Sequence, residues 1–109
     1  METIRPVIKI LVTSGSESFL KEVLAGIEEE SVLYEVETRD GGARELATIA
    51  ASLSLLETGI GIDEEFTCIT ICKLPKNEPL QIYSCLDNDK LRLAGCNAAR
   101  IVKGIPLKY

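Results

Sequence analysis

A short, almost wholly apolar run near the start of the chain most constrains what it can fold into. Residues 7–12, V-I-K-I-L-V, are rich in β-branched side chains and contain a single charge. Such a run predicts a central strand buried on both faces, as in sheets covered by helices on either side. A polar turn follows at residues 13–16, and apolar residues then recur at helical spacing at Phe19, Leu20, Val23, Leu24 and Ile27. A strand that feeds an amphipathic helix predicts an α/β fold.

The rest of the chain continues this alternation of strands and helices. A second helix is predicted at residues 43–54, and Asp87 or Asn88 caps a last helix that Gly104 and Pro106 end. Further strands are predicted at residues 33–38, 59–62, 66–72 and 80–85. The order β-α-β-α-β-β-β-α predicts an α/β three-layer sandwich with a mostly parallel sheet. From the length of 109 residues we expect a single domain, residues 1–109.

The composition argues against several classes of function. The formal net charge is −5, from 12 basic and 17 acidic residues, which is unfavourable for a general nucleic-acid binder. No apolar run approaches the roughly 18 residues of a membrane span, and there is no signal-peptide pattern, so we expect a cytoplasmic protein. The lack of histidine removes the commonest general base. The four cysteines are expected to be buried free thiols, because none forms a C-x-x-C pair.

Three consecutive acids, Glu28, Glu29 and Glu30, close the first predicted helix. They are unfavourable there, because the carboxyl end of a helix carries partial negative charge. At 100° per residue, Glu29 falls almost opposite the apolar stripe, Glu28 lies on its flank, and Glu30 points back towards the core. Ala25 and Gly26 lie beside Glu29 and are expected to leave bare backbone on the outer face. A solvated acidic helix end, a basic partner and a cation completed by a partner chain all stay open.

Two basic residues, two loops and one glycine pattern are weaker candidates. Arg100 and Lys103 lie near the end of the last helix, where cations suit the helix dipole or could contact a partner. Residues 13–18 stand where phosphate-binding loops occur, but one glycine and no lysine favour a capped turn. The G-x-G at residues 59–61 is expected to serve backbone geometry. The acidic residues 63–65 are expected to form a solvated hairpin tip rather than a cation site.

Two stretches of the chain resemble a known family. Residues 22–30, E-V-L-A-G-I-E-E-E, are similar to the E-V-L-x-G-I-E-E-E segment of the small subunit of the diol/glycerol dehydratase reactivating factor. Residues 97–106, N-A-A-R-I-V-K-G-I-P, resemble the N-A-A-R-[LI]-V-K-G-I-P of that family. The resemblance spans residues 7–107, with shorter matches in order at residues 59–63, 73–75 and 79–80. It departs at Cys96, where a second asparagine would be expected.

The resemblance implies a fold, partners and a role. The fold would be similar to the medium subunit of the B12-dependent diol dehydratase. The chain would pair with a large ATPase subunit in a hetero-oligomer of two copies of each. The complex would act as a chaperone on adenosylcobalamin-dependent diol or glycerol dehydratase, releasing damaged cobalamin while the small subunit takes the place of the dehydratase medium subunit. The chain would have no cofactor of its own, hydrolyse no ATP, and bind neither nucleic acid nor membrane; association with a bacterial microcompartment stays open.

The resemblance also implies a site. In the family, the middle glutamate of E-E-E helps to ligate a divalent cation at the interface with the large subunit, and that position here is Glu29. The cation would be Mg²⁺ or Ca²⁺. No catalytic residue is implied. The predicted partner interface comprises Ala25, Gly26, Glu28, Glu29, Arg100 and Lys103.

Two other functions stay open at this point. The chain could be a structural subunit or fragment of the dehydratase itself, in which case it would contribute to cobalamin binding. It could also be a free-standing enzyme of flavodoxin-like architecture. The missing histidine and the missing phosphate-binding fingerprints disfavour that second alternative.

Overall fold

A computed structural model describes residues 6–75 and 78–109 of the chain. The elements follow the predicted order, and the strand boundaries differ from the predicted ones by at most one residue. A 3-10 turn at Glu17–Phe19 leads into the first helix. The strands are β1 (Ile8–Val12), β2 (Tyr34–Thr38), β3 (Thr58–Ile62), β4 (Phe66–Ile71) and β5 (Gln81–Ser84). The helices are α1 (Leu20–Glu29), α2 (Ala43–Leu53) and α3 (Asn88–Lys103).

The five strands form one sheet in the order β2-β1-β3-β4-β5. Strand β1 pairs in parallel with β2 and with β3, so that Ile10 lies between Val36 and Ile60. The pairs β3–β4 and β4–β5 are antiparallel. The sheet is therefore mixed, with two parallel and two antiparallel pairings, rather than mostly parallel as predicted. The connections that precede β4 and β5 are too short for the crossover of about a dozen residues that a parallel return requires.

Helices cover both faces of the sheet, which confirms the predicted α/β three-layer sandwich. Helices α1 and α3 pack against each other and on one face, where the main buried cluster lies. The sheet contributes to that cluster Ile8, Ile10, Val12, Ile60, Ile62 and Ile69. Helix α2 packs on the other face against β1, β3 and β4, through smaller clusters around Leu11 and Cys68. Strand β1 is thus buried on both faces, as predicted.

The G-x-G of β3 allows α2 to lie close to the sheet. A Cβ atom on Gly59 would be 2.2 Å from Ala51 N, and one on Gly61 would be 2.1 Å from Ala43 O. The face of α2 that meets β3 is itself rich in alanine, so helix and strand approach through their backbones. The two glycines are therefore required for the close approach of two backbones, as predicted.

A second close approach joins α1 and α3. A Cβ atom on Gly26 would lie 2.1 Å from Arg92 O, and one on Gly95 would lie 1.9 Å from Val23 O. The expectation that Gly26 leaves bare backbone on the outer face is wrong, because α3 covers that flank of α1 and buries the glycine. Helical spacing places the apolar stripe on the core side, but it does not show which flank a later helix will cover.

Acidic side chains cap two of the helices. Asp87 caps α3 by accepting hydrogen bonds from backbone N–H groups of its first turn, and Gly104 ends the helix in the left-handed region with a φ of 69°. Asp63, in the loop between β3 and β4, accepts a 2.9 Å hydrogen bond from Ala43 N at the start of α2. The predicted ends of α3 are confirmed. The predicted hairpin tip also caps the start of α2 through Asp63.

The cysteines lie mostly as expected. All four are free thiols, and Cys68, Cys85 and Cys96 are buried. Cys72 is exposed, contrary to the expectation, because β4 ends at Ile71 and leaves it in the following turn. Burial raises the pKa of Cys68 to about 11, so that thiol remains protonated at neutral pH.

We expect Gly26→Ala to lower the free energy of unfolding by about 1–3 kcal/mol, because the added methyl group would force α1 away from α3. Gly42→Ala is the matched control, since a Cβ atom there meets nothing within 4 Å and the φ of −79° suits alanine. Urea unfolding followed by circular dichroism measures both variants. A Gly26→Ala protein as stable as the wild type would contradict the close helix contact.

Candidate functional site

The three consecutive acids lie where the end of α1 runs beside α3. Helix α1 ends at Glu29, and Glu30 is its C-cap. The two helices run in the same direction, since Glu22 faces Arg92 near their starts and Glu30 faces Arg100 near their ends. Each member of this glutamate cluster, Glu28, Glu29 and Glu30, has a partner within the chain. The partners are Tyr34 for Glu28, Arg92 and Cys96 for Glu29, and Arg100 and Lys103 for Glu30.

Glu30 is the most enclosed member of the glutamate cluster. Its carboxylate lies 2.9 Å from Lys103 Nζ and 3.2 Å from Arg100 Nε, and 10% of its side chain is exposed. The hydrogen bond from Lys103 is the main cause that holds the pKa of Glu30 below its usual 4.5, against the effect of burial and with help from Arg100. Glu30 is enclosed, but by the cations at the end of α3 and not by the core towards which it was predicted to point. The two cations of α3 compensate an acid that the dipole of α1 disfavours.

Glu29 lies on the flank of α1 that faces α3. Its Oε1 is 3.3 Å from Arg92 Nη1, and its Oε2 accepts a 3.3 Å hydrogen bond from the Cys96 thiol. Burial, and then the contact with Glu29, raise the pKa of Cys96, so the thiol keeps the proton it donates. The side chain of Glu29 is 43% exposed. Glu29 is thus partly exposed, but it reaches across to α3 and the buried Cys96 and does not face squarely outward as predicted.

Glu28 and Ala25 occupy the more open part of this region. Glu28 is exposed and accepts a 2.7 Å hydrogen bond from the hydroxyl of Tyr34. That hydrogen bond is the main reason why the pKa of Tyr34 is raised, because the neutral phenol donates to a carboxylate. Ala25 is half-buried and Gly26 is buried. These two small residues therefore pack against their neighbours, although the sequence predicts that they leave the helix backbone exposed to solvent.

The residues of α3 that meet the glutamate cluster are only partly predictable. Arg92, Cys96, Arg100 and Lys103 follow one another at intervals of four, four and three residues, which places them on one face of a helix. From the sequence, only Arg100 and Lys103 are predicted as site residues, because they stand near the helix end. The spacing is the signal that could have added Arg92 and Cys96. It does not reveal that this face meets the acids of α1.

One carboxylate of this region fits a shared cation site. Glu29 offers partly exposed oxygen ligands of the kind that Mg²⁺ and Ca²⁺ prefer, but such ions take about six or more ligands. The described residues contain no group of three His, Cys, Asp or Glu side chains that could hold a metal ion. Arg92 already lies against Glu29, so a cation would take the place of its guanidinium group. The donor set is therefore compatible with a cation only if another chain supplies the other ligands.

The loops that follow β1, β2 and β3 enclose a polar cavity of about 410 Å³. It is lined by the loops at residues 13–16, 41–42 and 63–65. Burial would raise the pKa of Asp63, but hydrogen bonds from the backbone N–H groups of Phe66, Ala43 and Glu65 outweigh it and lower the pKa. The carboxylate of Asp63 therefore connects the tip of the β3–β4 hairpin to the start of α2. The position of residues 63–65 at the tip of the β3–β4 hairpin confirms that part of the prediction.

Comparison with known proteins agrees with the resemblance seen in the sequence. A family model described as dehydratase medium subunit matches residues 5–108. The diol dehydratase-reactivating factor small subunit of Klebsiella michiganensis is 36% identical over 105 residues, which cover 94% of this chain and 84% of that protein. The propanediol dehydratase-reactivating factor small subunit of Citrobacter freundii is 37% identical over 105 residues, which cover 94% and 90%. The chain belongs to the family of dehydratase-reactivating factor small subunits.

Solved reactivating factors share the fold of this small subunit. A chain from the diol dehydratase-reactivating factor complexed with ADP and Mg²⁺ matches with a TM-score of 0.91 and 36% identity, over 96% of this chain and 99% of that one. A chain from a glycerol dehydratase reactivase matches with a TM-score of 0.90 and 32% identity, over 96% and 98%. The mixed five-stranded sheet is thus the fold of reactivating-factor small subunits. No helix among the described residues is long and apolar enough to cross a membrane.

We expect Glu30→Gln to destabilise the small subunit at neutral pH and to remove part of its sensitivity to acid. The pKa of Glu30 is lowered on folding, so the stability it contributes is present above its unfolded value near 4.5 and is lost as the pH falls through the folded value. Urea unfolding between pH 7 and pH 3 measures the difference between wild type and variant. The difference in free energy of unfolding between the two proteins should become smaller in acid. The titration of Asp63 does not affect this difference, because both proteins contain Asp63.

The control for this experiment is Glu37→Gln, which changes an exposed glutamate of the edge strand β2. The free energy of unfolding of this control should differ little from that of the wild type, and the difference should not change with pH. If the difference between Glu30→Gln and the wild type is also independent of pH, Arg100 and Lys103 do not stabilise the Glu30 carboxylate.

Proposed function

We propose that the chain acts as the small subunit of a complex that reactivates adenosylcobalamin-dependent diol or glycerol dehydratase. The observation that carries this proposal is the match to a chain of a diol dehydratase-reactivating factor, with a TM-score of 0.91. The match covers 96% of this chain and 99% of that one, so the likeness extends to every element of the fold. The names of the curated relatives support the same role.

The proposed partner is a large subunit that carries the ATPase activity, in a hetero-oligomer with two copies of each chain. The designation of the relatives as small subunits supports such a partner, and one related complex was solved with ADP and Mg²⁺. The turn at residues 13–18 has one glycine and no lysine, so it lacks a nucleotide-binding fingerprint. We therefore assign ATP hydrolysis to the large subunit and no catalytic residue to this chain.

The proposed mechanism is an exchange of subunits. The family model that matches residues 5–108 is named for the dehydratase medium subunit, which supports the idea that this chain takes the place of that subunit in the inactivated enzyme. The exchange would loosen the dehydratase around its damaged cobalamin, so that the damaged molecule leaves and intact coenzyme enters. We place this exchange in the cytoplasm, and any association with a bacterial microcompartment would follow the dehydratase.

The proposed interface with the large subunit lies along the exposed parts of α1 and α3. Glu29 would ligate Mg²⁺ or Ca²⁺ there together with ligands from the large subunit. Its partial exposure supports this role, and the Arg92 guanidinium, 3.3 Å from the carboxylate, would move away when the cation binds. Gly26 would contribute through the close packing of α1 on α3, since it is buried. The proposed interface residues are Ala25, Gly26, Glu28, Glu29, Arg100 and Lys103.

The proposal is tested by a reactivation assay. Dehydratase loaded with a cobalamin that lacks the adenosyl group is incubated with the purified chain, the large subunit and ATP. Release of that cobalamin is followed by its absorbance after gel filtration, and recovered activity is measured after addition of intact coenzyme. Both should require both subunits. Full recovery with the large subunit alone would overturn the proposed role of this chain.

We expect Glu29→Gln to weaken the metal-dependent association with the large subunit. Replacement of a ligating carboxylate by an amide should raise the Mg²⁺ or Ca²⁺ concentration for half-maximal association by about tenfold or more. Glu37→Gln serves as the control, and removal of metal by a chelator should weaken the wild-type complex to the level of Glu29→Gln. Unchanged association and unchanged metal content of the purified complex would contradict the assignment of Glu29.

A second candidate function is favoured by the same family model, which is named for the dehydratase medium subunit. A chain that forms part of the dehydratase would contribute directly to cobalamin binding. Spectroscopic titration of the isolated chain with cobalamin separates the two candidates. The reactivating role predicts no tight binding, whereas binding at stoichiometric concentrations would favour a dehydratase subunit.

A further inference from the structure

The two edges of the sheet differ in how they are protected. Exposed edge strands tend to pair with other chains, and natural proteins usually guard them with charges, proline or bulges. The edge strand β2 has the sequence Y-E-V-E-T and carries Glu35 and Glu37. The edge strand β5 has the sequence Q-I-Y-S, with neither a charge nor a proline. In the described part of the chain, no strand pairs with the outer side of either.

The unguarded strand β5 also borders an exposed apolar surface. Ile82 pairs with Cys68 of β4, and Cys68 packs against α2, so Ile82 lies on the face of the sheet that α2 covers. Helix α2 packs on β1, β3 and β4, which leaves β5 beyond its cover. On that face Phe66 pairs with Ser84 and is a diagonal neighbour of Ile82, and both are exposed large apolar residues.

Leu86 extends this surface just beyond the end of β5, and 91% of it is exposed. A groove of about 250 Å³ is lined by Glu64, Glu65, Phe66, Ser84 and Leu86. An exposed leucine alone needs no explanation, but one that shares a groove with an exposed phenylalanine beside an unguarded edge is typical of an interaction site. We call Phe66, Ile82 and Leu86, with Glu64 and Glu65 at the rim, the β5 surface.

The rim of the β5 surface restricts its partner by charge. Glu64 and Glu65 are both exposed, and Glu65 O accepts a hydrogen bond from Cys85 N, which places this acid directly beside the end of β5. Two adjacent carboxylates next to an apolar groove are complementary to a segment that combines apolar and basic side chains. A second copy of this chain is a poorer occupant, because it carries the same net charge of −5.

We propose that the β5 surface docks an extended, basic and apolar segment of the dehydratase. The segment would add a strand to the free edge of β5, place apolar side chains against Phe66, Ile82 and Leu86, and bring lysine or arginine to Glu64 and Glu65. This inference rests on the proposed function, because it takes the dehydratase as the client. It goes further by naming the surface of this chain that recognises the client.

The position of the β5 surface favours the client over the large subunit. The glutamate cluster and the interface proposed for the large subunit belong to α1 and α3, which cover the opposite face of the sheet. If the second partner is to engage the subunit before the first releases it, it needs a surface that the first partner leaves open. The β5 surface is available for that contact because neither α1 nor α3 covers this face of β5.

The test compares substitutions at the two sheet edges. Ile82→Lys places a charge in the middle of β5, and Val36→Lys does the same in β2, where the native side chain is equally exposed at 39%. Leu86→Ser removes the apolar side chain at the end of β5, and Leu55→Ser is its control in an exposed loop elsewhere. Binding of each full-length variant to the purified dehydratase complex, and separately to the large subunit, is measured by biolayer interferometry.

We expect Ile82→Lys and Leu86→Ser each to lower the affinity for the dehydratase about tenfold, while the two control variants change it less than about twofold. Affinity for the large subunit should be unchanged in all four. Glu65→Lys should also weaken dehydratase binding, with a smaller effect as salt is raised, because the contact at the rim is electrostatic. Circular dichroism checks that each variant is folded.

Four results would overturn the inference. Wild-type affinity of Ile82→Lys and Leu86→Ser for the dehydratase would remove the β5 surface from client recognition and leave the proposed function intact. If Ile82→Lys and Leu86→Ser lose binding to the large subunit but keep binding to the dehydratase, the β5 surface binds the large subunit and not the dehydratase. Sedimentation of the free chain as a dimer that Ile82→Lys dissociates would identify a second copy as the occupant. A wild-type chain that binds neither protein would overturn the proposed function itself.

Discussion

The contact between α1 and α3 is the interaction on which the rest of the structure depends. Gly26 and Gly95 bring the two helix backbones together, and this closeness places the acids of α1 within reach of the cations of α3. Both helices run in the same direction, so their carboxyl ends meet and their partial negative charges add. The glutamate cluster would make that end still more negative. The basic face of α3 compensates two of these acids, Glu29 and Glu30.

The three glutamates owe their positions to different contacts, and only one of them suits an exchange of partners. Glu30 is enclosed by two cations, and Glu28 is held by the Tyr34 hydroxyl at 2.7 Å. Glu29 makes two 3.3 Å contacts and is partly exposed. An ion pair of that kind contributes little free energy, so its carboxylate can change partners at small cost. Of the three acids, Glu29 is therefore the one whose contacts best suit the cation site proposed for the interface.

The elements of the fold could be predicted from local pattern, whereas their contacts could not. The apolar run that became β1 and the stripe on α1 are set by side-chain periodicity, and these elements lie where expected. The mixed sheet was predictable in principle, because the short connection before β4 excludes a parallel return. The burial of Gly26 and the contact of Arg92 with Glu29 depend on which flank of α1 is covered by α3. That choice is made by residues far away in sequence.

The uneven covering of the sheet supports the proposal that this one small domain binds two partners. Two helices cover one face, but the single helix on the other face packs on β1, β3 and β4 and leaves β5 open. Strand β2, at the other edge, carries Glu35 and Glu37, and Lys9 of β1 pairs with Glu35. Charge at one edge and bare apolar surface at the other make association through β5 more favourable than through β2. In the proposed exchange, the large subunit would bind α1 and α3 while the dehydratase binds the free edge of β5.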